Sequence, residues 1–356
     1  MTDELIDRLR LVRSTGIGPI TFRQLIARFG SAAAALDAVP DLARRGGGRV
    51  PVLHSRADAE REIAQVEKLG ARFLTIGQGL YPRLLAELDD APPLLIAQGR
   101  LELLDRMAIA IVGARNASAA ACRFARGLAH ELGRGGAVIV SGLARGIDSA
   151  AHDGALEGGT IGVVAGGIDI FYPPETEARQ SAMFERGLVL AEMPPGVEPR
   201  ARHFPYRNRI IAGLALGTVV VEAAPRSGSL ITARLAAEAG REVLAVPGSP
   251  LDPRAQGCNA LIRDGATLIQ TAADVMEAIG PQASRVASAR APFEHPPPAD
   301  EPPLSDVEQL LGPSPVPVDE IIRLSGASAG AVQMALLELD LAGRIDRHAG
   351  GKVSLR

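Results

Sequence analysis

The sequence has 356 residues, 47% of them hydrophobic, 3% aromatic and none tryptophan, with a formal net charge of −3. That length allows about two or three domains and a sizeable core built from Ala, Val, Leu and Ile. The near-neutral charge excludes a generally basic, histone-like chain, so a nucleic-acid site has to be local. Arginine dominates the cations, with Lys68 and Lys352 the only lysines. Cys122 and Cys258 show no metal-ligand spacing and read as small apolar residues of a reducing compartment. The opening MTDELIDRLRLVRS lacks the apolar run of a signal peptide, and no stretch of about 18 apolar residues offers a membrane span. The expectation is a cytoplasmic protein with no membrane, metal or cofactor.

Residues 1–70 read as short helices. The Gly16-Ile17-Gly18 turn, followed by Thr21 and Phe22, looks like half of a helix-hairpin-helix. A tight turn between packed helices is the plainer reading and is preferred. Residues 72–284 change character. Near-continuous apolar runs, of the kind strands show when buried on both faces, stand at 107–113, 137–142, 160–167, 187–192, 217–223 and 242–248. Helical stretches such as Ser118 to Gly133 and Leu230 to Ala239 separate them. The fold class expected is α/β, a Rossmann-like doubly wound, mainly parallel sheet. Residues 285–303 are rich in Pro and Ala and read as a linker. Residues 304–356 return to a helical pattern and end in strand, turn, strand, which fits a winged helix.

Small residues follow each strand: Gly113-Ala114-Arg115, the run Ser141-Gly142-Leu143-Ala144-Arg145, Gly166-Gly167, and Ser227-Gly228-Ser229. In a doubly wound sheet these turns share the carboxyl edge, where ligands bind. Glycine permits close backbone approach, and helices starting there favour anions. Gly113-x-Arg115 is not the G-x-G-x-x-G dinucleotide turn, and no P-loop pattern is present. The densest cationic stretch is Arg200, Arg202, His203, Phe204, Tyr206, Arg207, Asn208 and Arg209; aromatics among arginines suit unpaired bases. An apolar helix is expected to start at Ile210, leaving Arg207 and Arg209 at its N-terminus, where only an anion relieves the conflict with the dipole. For catalysis the offer is thin. Asp148 and His152 share a helical face but read as structural, and Ser141, Ser227 and Ser229 have no evident base. Glu222 alone keeps an enzyme reading open.

Residues 75–280 resemble the DNA-processing protein A (DprA, or Smf) family. The resemblance lies in VGARNAS (112–118), SGLARGIDSAAH (141–152), GGIDIFYPPE (166–175), FPYRNRIIAGL (204–214), VVEAAPRSGSLITA (220–233), VPG (246–248) and QGCNALIRDGA (256–266). It implies a SAM-like helical domain before the sheet domain and a winged helix after it. It also implies a non-catalytic homodimer that binds and protects incoming single-stranded DNA and helps load the RecA recombinase in natural transformation. The resemblance carries Arg115 and Ser118, Phe204, Arg207 and Arg209, and Ser227 to Ser229 into the expected DNA-binding set. The reading of the strand edge adds Gly113, Ser141, Gly142, Arg145, Gly166 and Asn208. Asn116 and Ala117 stand where the family often has Lys or Pro. The competing reading is a nucleotide-processing enzyme of the lysine-decarboxylase-like Rossmann group, but GTVVVEA at 217–223 lacks that group's preceding P-G-G and its spacing. The expected recognition helix, AGAVQMALLELDLAG, is apolar and acidic, so the winged helix is expected to contact protein more than DNA.

Overall fold

The computed structural model describes residues 3–288, 304–348 and 350–356. They form two compact units, one from Met1–Ile63 with Ala291–Arg356, the other from Ala64–Arg290.

The first unit opens with helices α1 (Asp3–Arg13), α2 (Pro19–Phe29) and α3 (Ala32–Arg45), and α4 (Arg56–Lys68) follows at its boundary with the second. Local sequence sets their ends. Pro19 occupies the first turn of α2, Gly30 closes that helix in the left-handed region at φ +75°, and the Ser31 hydroxyl caps α3 by accepting from the Ala34 amide at 3.2 Å. Leu9, Leu11, Phe22, Leu25, Val39 and Leu42 form the buried face.

The second unit is a nine-stranded sheet. In chain order it runs β1 (Arg72–Thr75), α5 (Arg83–Ala86), β2 (Leu94–Gly99), β3 (Ala108–Gly113), α6 (Ala119–Arg134), β4 (Val138–Ser141), α7 (Ile147–Ala155), β5 (Thr160–Val164), α8 (Glu177–Arg186), β6 (Leu188–Ala191), α9 (His203–Leu214), β7 (Gly217–Val221), α10 (Gly228–Glu238), β8 (Glu242–Ala245), α11 (Gln256–Arg263), β9 (Thr267–Leu268) and α12 (Ala272–Ser288). The spatial order is β1-β2-β6-β5-β4-β3-β7-β8-β9. All strands from β6 to β9 pair in parallel; β2 joins β6 antiparallel, and β1 joins β2 antiparallel. Residues of α6, α7 and α12 fill one face, and those of α9, α10 and α11 the other. Strand order reverses between β3 and β7, so the switch point lies there, beside Gly113.

The six apolar runs all became strands of this sheet. The antiparallel β1–β2 pair had no such signature, because β1 is four residues long and LLIAQG reads like any buried segment. Two expectations need correction. The helix expected at Ile210 begins at His203, a full two turns earlier. Helix α12 runs through Ser288, four residues into the expected linker; residues 289–303 of that linker lie outside the described residues.

The C-terminal part of the first unit runs α13 (Leu304–Gln309), β10 (Val316–Pro317), α14 (Val318–Ser325), α15 (Ala329–Leu341), β11 (Ile345–His348) and β12 (Lys352–Leu355). Its three strands pair antiparallel in the order β10-β12-β11 around Val307, Ile321, Val332, Leu336, Leu339, Ile345 and Val353. This is a winged helix.

Candidate nucleic-acid interface

The turn between β4 and α7 is fixed from below by the first two turns of α7. The buried Asp148 carboxylate accepts from the amides of Gly142 at 3.1 Å and Ala144 at 3.4 Å. Its own burial raises its pKa, against the lowering charge of Arg207. His152 Nε2 accepts from the Leu143 amide at 3.4 Å, so Nδ1 carries the proton and donates to Thr160 Oγ1 at 2.7 Å. The Thr160 hydroxyl in turn donates to the Ile139 carbonyl at 2.9 Å. Burial lowers the His152 pKa to about 3, which keeps the ring neutral. These bonds hold Leu143 at φ +53°, a conformation a non-glycine residue adopts only under constraint, while Gly146 takes φ +72° freely. Asp148 and His152 therefore build the turn, as the sequence implied, and reach no reactive group.

Above that turn lies a small pocket lined by Gly142, Val164, Ala165, Gly166, Ile170, Tyr172, Pro199, Phe204 and Arg207. Arg207 projects from the second turn of α9 into the sheet edge, where Nη1 donates to the carbonyls of Gly142 and Val163. Burial lowers its pKa to about 10, partly offset by Asp148, so it stays charged at neutral pH. Phe204, half-buried, forms the outer wall. The Arg115 guanidinium sits 5.2 Å from the centroid of its ring, and Tyr172 meets the ring at 5.8 Å with a 53° tilt. Cation and aromatic faces thus alternate along the pocket mouth. The first two turns of α9 supply Phe204 and Arg207 to it, and the exposed Arg200 and Arg202 stand just before that helix. Among the described residues Arg115, Arg200 and Arg202 have no carboxylate partner. Burial first, then the charges of Arg202 and Arg200, lowers the pKa of His203.

The pocket brings together Gly142, Gly166, Phe204 and Arg207 of the expected set, and Arg115 lies outside its lining, stacked on Phe204. The others stand differently. Ser141 is fully buried and donates to the Ile111 carbonyl at 2.6 Å, so it offers nothing at the surface. Gly113 is required by packing, since a Cβ there would lie 2.6 Å from Ile147 Cγ1. Arg145 is exposed but paired with Glu175. Ser118 caps α6 and is bound to Glu222. Ser227 caps α10; its Oγ lies 2.8 Å from that of Ser229, and Asn208 reaches the Gly228 carbonyl at 3.3 Å. Arg209 is the clear correction. Two residues beyond Arg207, it faces away, buried at 4% exposure, with Nη2 2.7 Å from Glu192 and Nε 3.5 Å from Asp90. It is an internal ion pair and not a phosphate clamp. The conflict with the dipole of α9 belongs to Arg200 and Arg202 instead.

Sequence reading missed Tyr172. Tyr172 is one of three tyrosines in an aromatic-poor chain and sits in FYPP just after Gly166-Gly167, which was the available signal.

Comparison with known proteins gives the family and the fold. The profile of the family "DNA recombination-mediator protein A" matches residues 72–280, that of a DprA-like N-terminal HHH domain residues 2–64, and that of a DprA winged helix domain residues 291–351. The chain belongs to the DprA family of DNA recombination-mediator proteins. It is 43% identical over 244 residues to DNA processing protein DprA of Streptococcus pneumoniae, which covers 66% of this chain and 85% of that protein. The X-ray structure of DprA from the same species superposes with a TM-score of 0.65 at 34% identity, covering 78% of this chain and 98% of that one. A structure of DNA processing protein A from Helicobacter pylori, solved for its single-stranded DNA binding mode, gives 0.53 at 29% identity, covering 60% and 97%.

Proposed function

We propose that this chain binds single-stranded DNA without chemically altering it, using the mouth of the Gly142–Arg207 pocket. The observation that carries the reading is the concentration of positive charge there: Arg115 on Phe204 and Arg200 and Arg202 at the N-terminus of α9, none with a carboxylate partner among the described residues, with Arg207 beneath. Phosphates answer the charge, and unpaired bases answer the Phe204 and Tyr172 rings. The H. pylori relative supports the same ligand. A non-catalytic role fits the fate of every candidate nucleophile and base. Ser141 and His152 are internally bonded, and Glu222 is bound to Ser118. Following the family resemblance, the further reading is a cytoplasmic homodimer that protects incoming DNA and assists RecA loading in natural transformation.

Fluorescence anisotropy with labelled single-stranded and duplex oligonucleotides of equal length, titrated with salt, tests the ligand. Stronger binding of the single strand, with a steep inverse salt dependence, is expected. Equal affinity for the duplex across the titration would overturn the reading. Incubation with nucleoside monophosphates is expected to release no free base; release would restore the enzyme alternative.

A further inference from the structure

Helix α15 is the element a winged helix turns toward a DNA groove, yet here it is covered on two sides. Val332, Ala335, Leu336 and Leu339 pack into the winged-helix core. Leu337, Glu338 and Leu341, on the neighbouring face, are buried as well, and α15 lies against α2 and α3. No residue from Ala331 to Leu341 is more than partly exposed. The contact is specific. The Thr21 hydroxyl donates to Asp340 Oδ2 at 2.7 Å; Arg347 holds the same oxygen at 2.9 Å and reaches Gln24 Oε1 at 3.0 Å; Gln24 donates to Gln333 Oε1 at 2.7 Å. Arg45 pairs with the buried Glu338 at 2.9 Å. Gly46 and Gly48, just after α3, let the backbones meet: a Cβ on Gly46 would fall 2.9 Å from Ala342 Cβ, and one on Gly48 2.5 Å from it. Helix α15 also carries Glu338 and Asp340 and no arginine or lysine, so it lacks the cations that read bases.

We infer that the winged-helix subdomain is a docking module whose partner is this chain's own N-terminal helical subdomain, rather than a reader of duplex DNA. The groove-facing helix is committed to protein, and a polar network fixes its register on α2 and α3.

The test uses the full chain in a Cys122→Ala background, with Gln24→Cys and Gln333→Cys joined by a short bismaleimide. An intrachain cross-link, seen as a concentration-independent shift of the monomer band, is expected. Gly48→Leu, which drives a side chain into Ala342, is expected to abolish it, and the exposed neighbour Arg49→Leu to leave it intact. Should circular dichroism show that Gly48→Leu melts α3, Arg45→Glu, a surface substitution opposing Glu338, takes its place. Cross-linking only between chains, or none at all, overturns the proposal. The second readout is duplex affinity without cross-linker. Releasing the contact is expected to leave it unchanged, whereas a rise on release would expose a masked DNA reader and refute the inference.

Discussion

Glu222 accepts from both the amide and the hydroxyl of Ser118, at 2.8 and 2.7 Å, and so plugs the crevice between β3 and β7 with a carboxylate of the protein's own. Open doubly wound sheets usually bind ligands at that switch point. Here the donors are taken, Glu222 sits at φ +50°, and the open pocket lies two strands along, above β4 and β5. Glu222→Ala leaves the Ser118 amide and hydroxyl without their acceptor, which costs about 1–3 kcal/mol of stability. It also removes a negative charge from the rim. Thermal melting is expected to show the loss, while anisotropy at low salt shows tighter single-strand binding. Weaker binding by a folded variant would mean that Glu222 itself touches the strand.

Arg115→Ala removes the exposed guanidinium from the Phe204 face. The slope of log affinity against log salt is expected to flatten by about 0.7, the value of one neutralised phosphate on a single strand, and all sequences to weaken alike. An unchanged slope would remove Arg115 from the contacts.

Arg209→Ala has a different signature. It removes a buried guanidinium from Glu192 and Asp90, and breaking a buried pair costs up to about 3–5 kcal/mol. The melting temperature is expected to fall sharply, with the salt slope of the remaining folded protein unchanged. A flattened slope at native stability would return Arg209 to the interface.

The pH dependence of stability carries a signature of His152. Its folded pKa near 3 lies below the ordinary value of 6.5, so the unfolded chain binds the extra proton between those values. This group's contribution is full above pH 6.5 and falls toward pH 3, by up to about 1.4 kcal/mol per pH unit. The stability gap between the native chain and His152→Gln is therefore expected to narrow as pH drops from 7 to 4 in urea titrations. A gap independent of pH would contradict the buried neutral ring.

Much of the sheet was legible because apolar runs and post-strand glycines are local signals. The site was legible only in part, for a geometric reason. Residues 204–209 read as one cationic stretch, but on a helix starting at His203 the side chains of Arg207 and Arg209 diverge. One enters the pocket edge and the other the ion pair with Glu192. Ser141 and Ser118 likewise sat in the right turns, yet their partners, the Ile111 carbonyl and Glu222, come from other strands that no local pattern announces.

The seat of Arg115 on the Phe204 ring has a kinetic corollary. A free arginine side chain surrenders about 2 kcal/mol of rotamer entropy when it is immobilised. Resting on an aromatic face, this one has given up part of that freedom during folding, before any strand arrives. On the proposed reading, the first phosphate to collide would meet a receptor already in position, and capture would be governed by diffusion and charge more than by reorganisation.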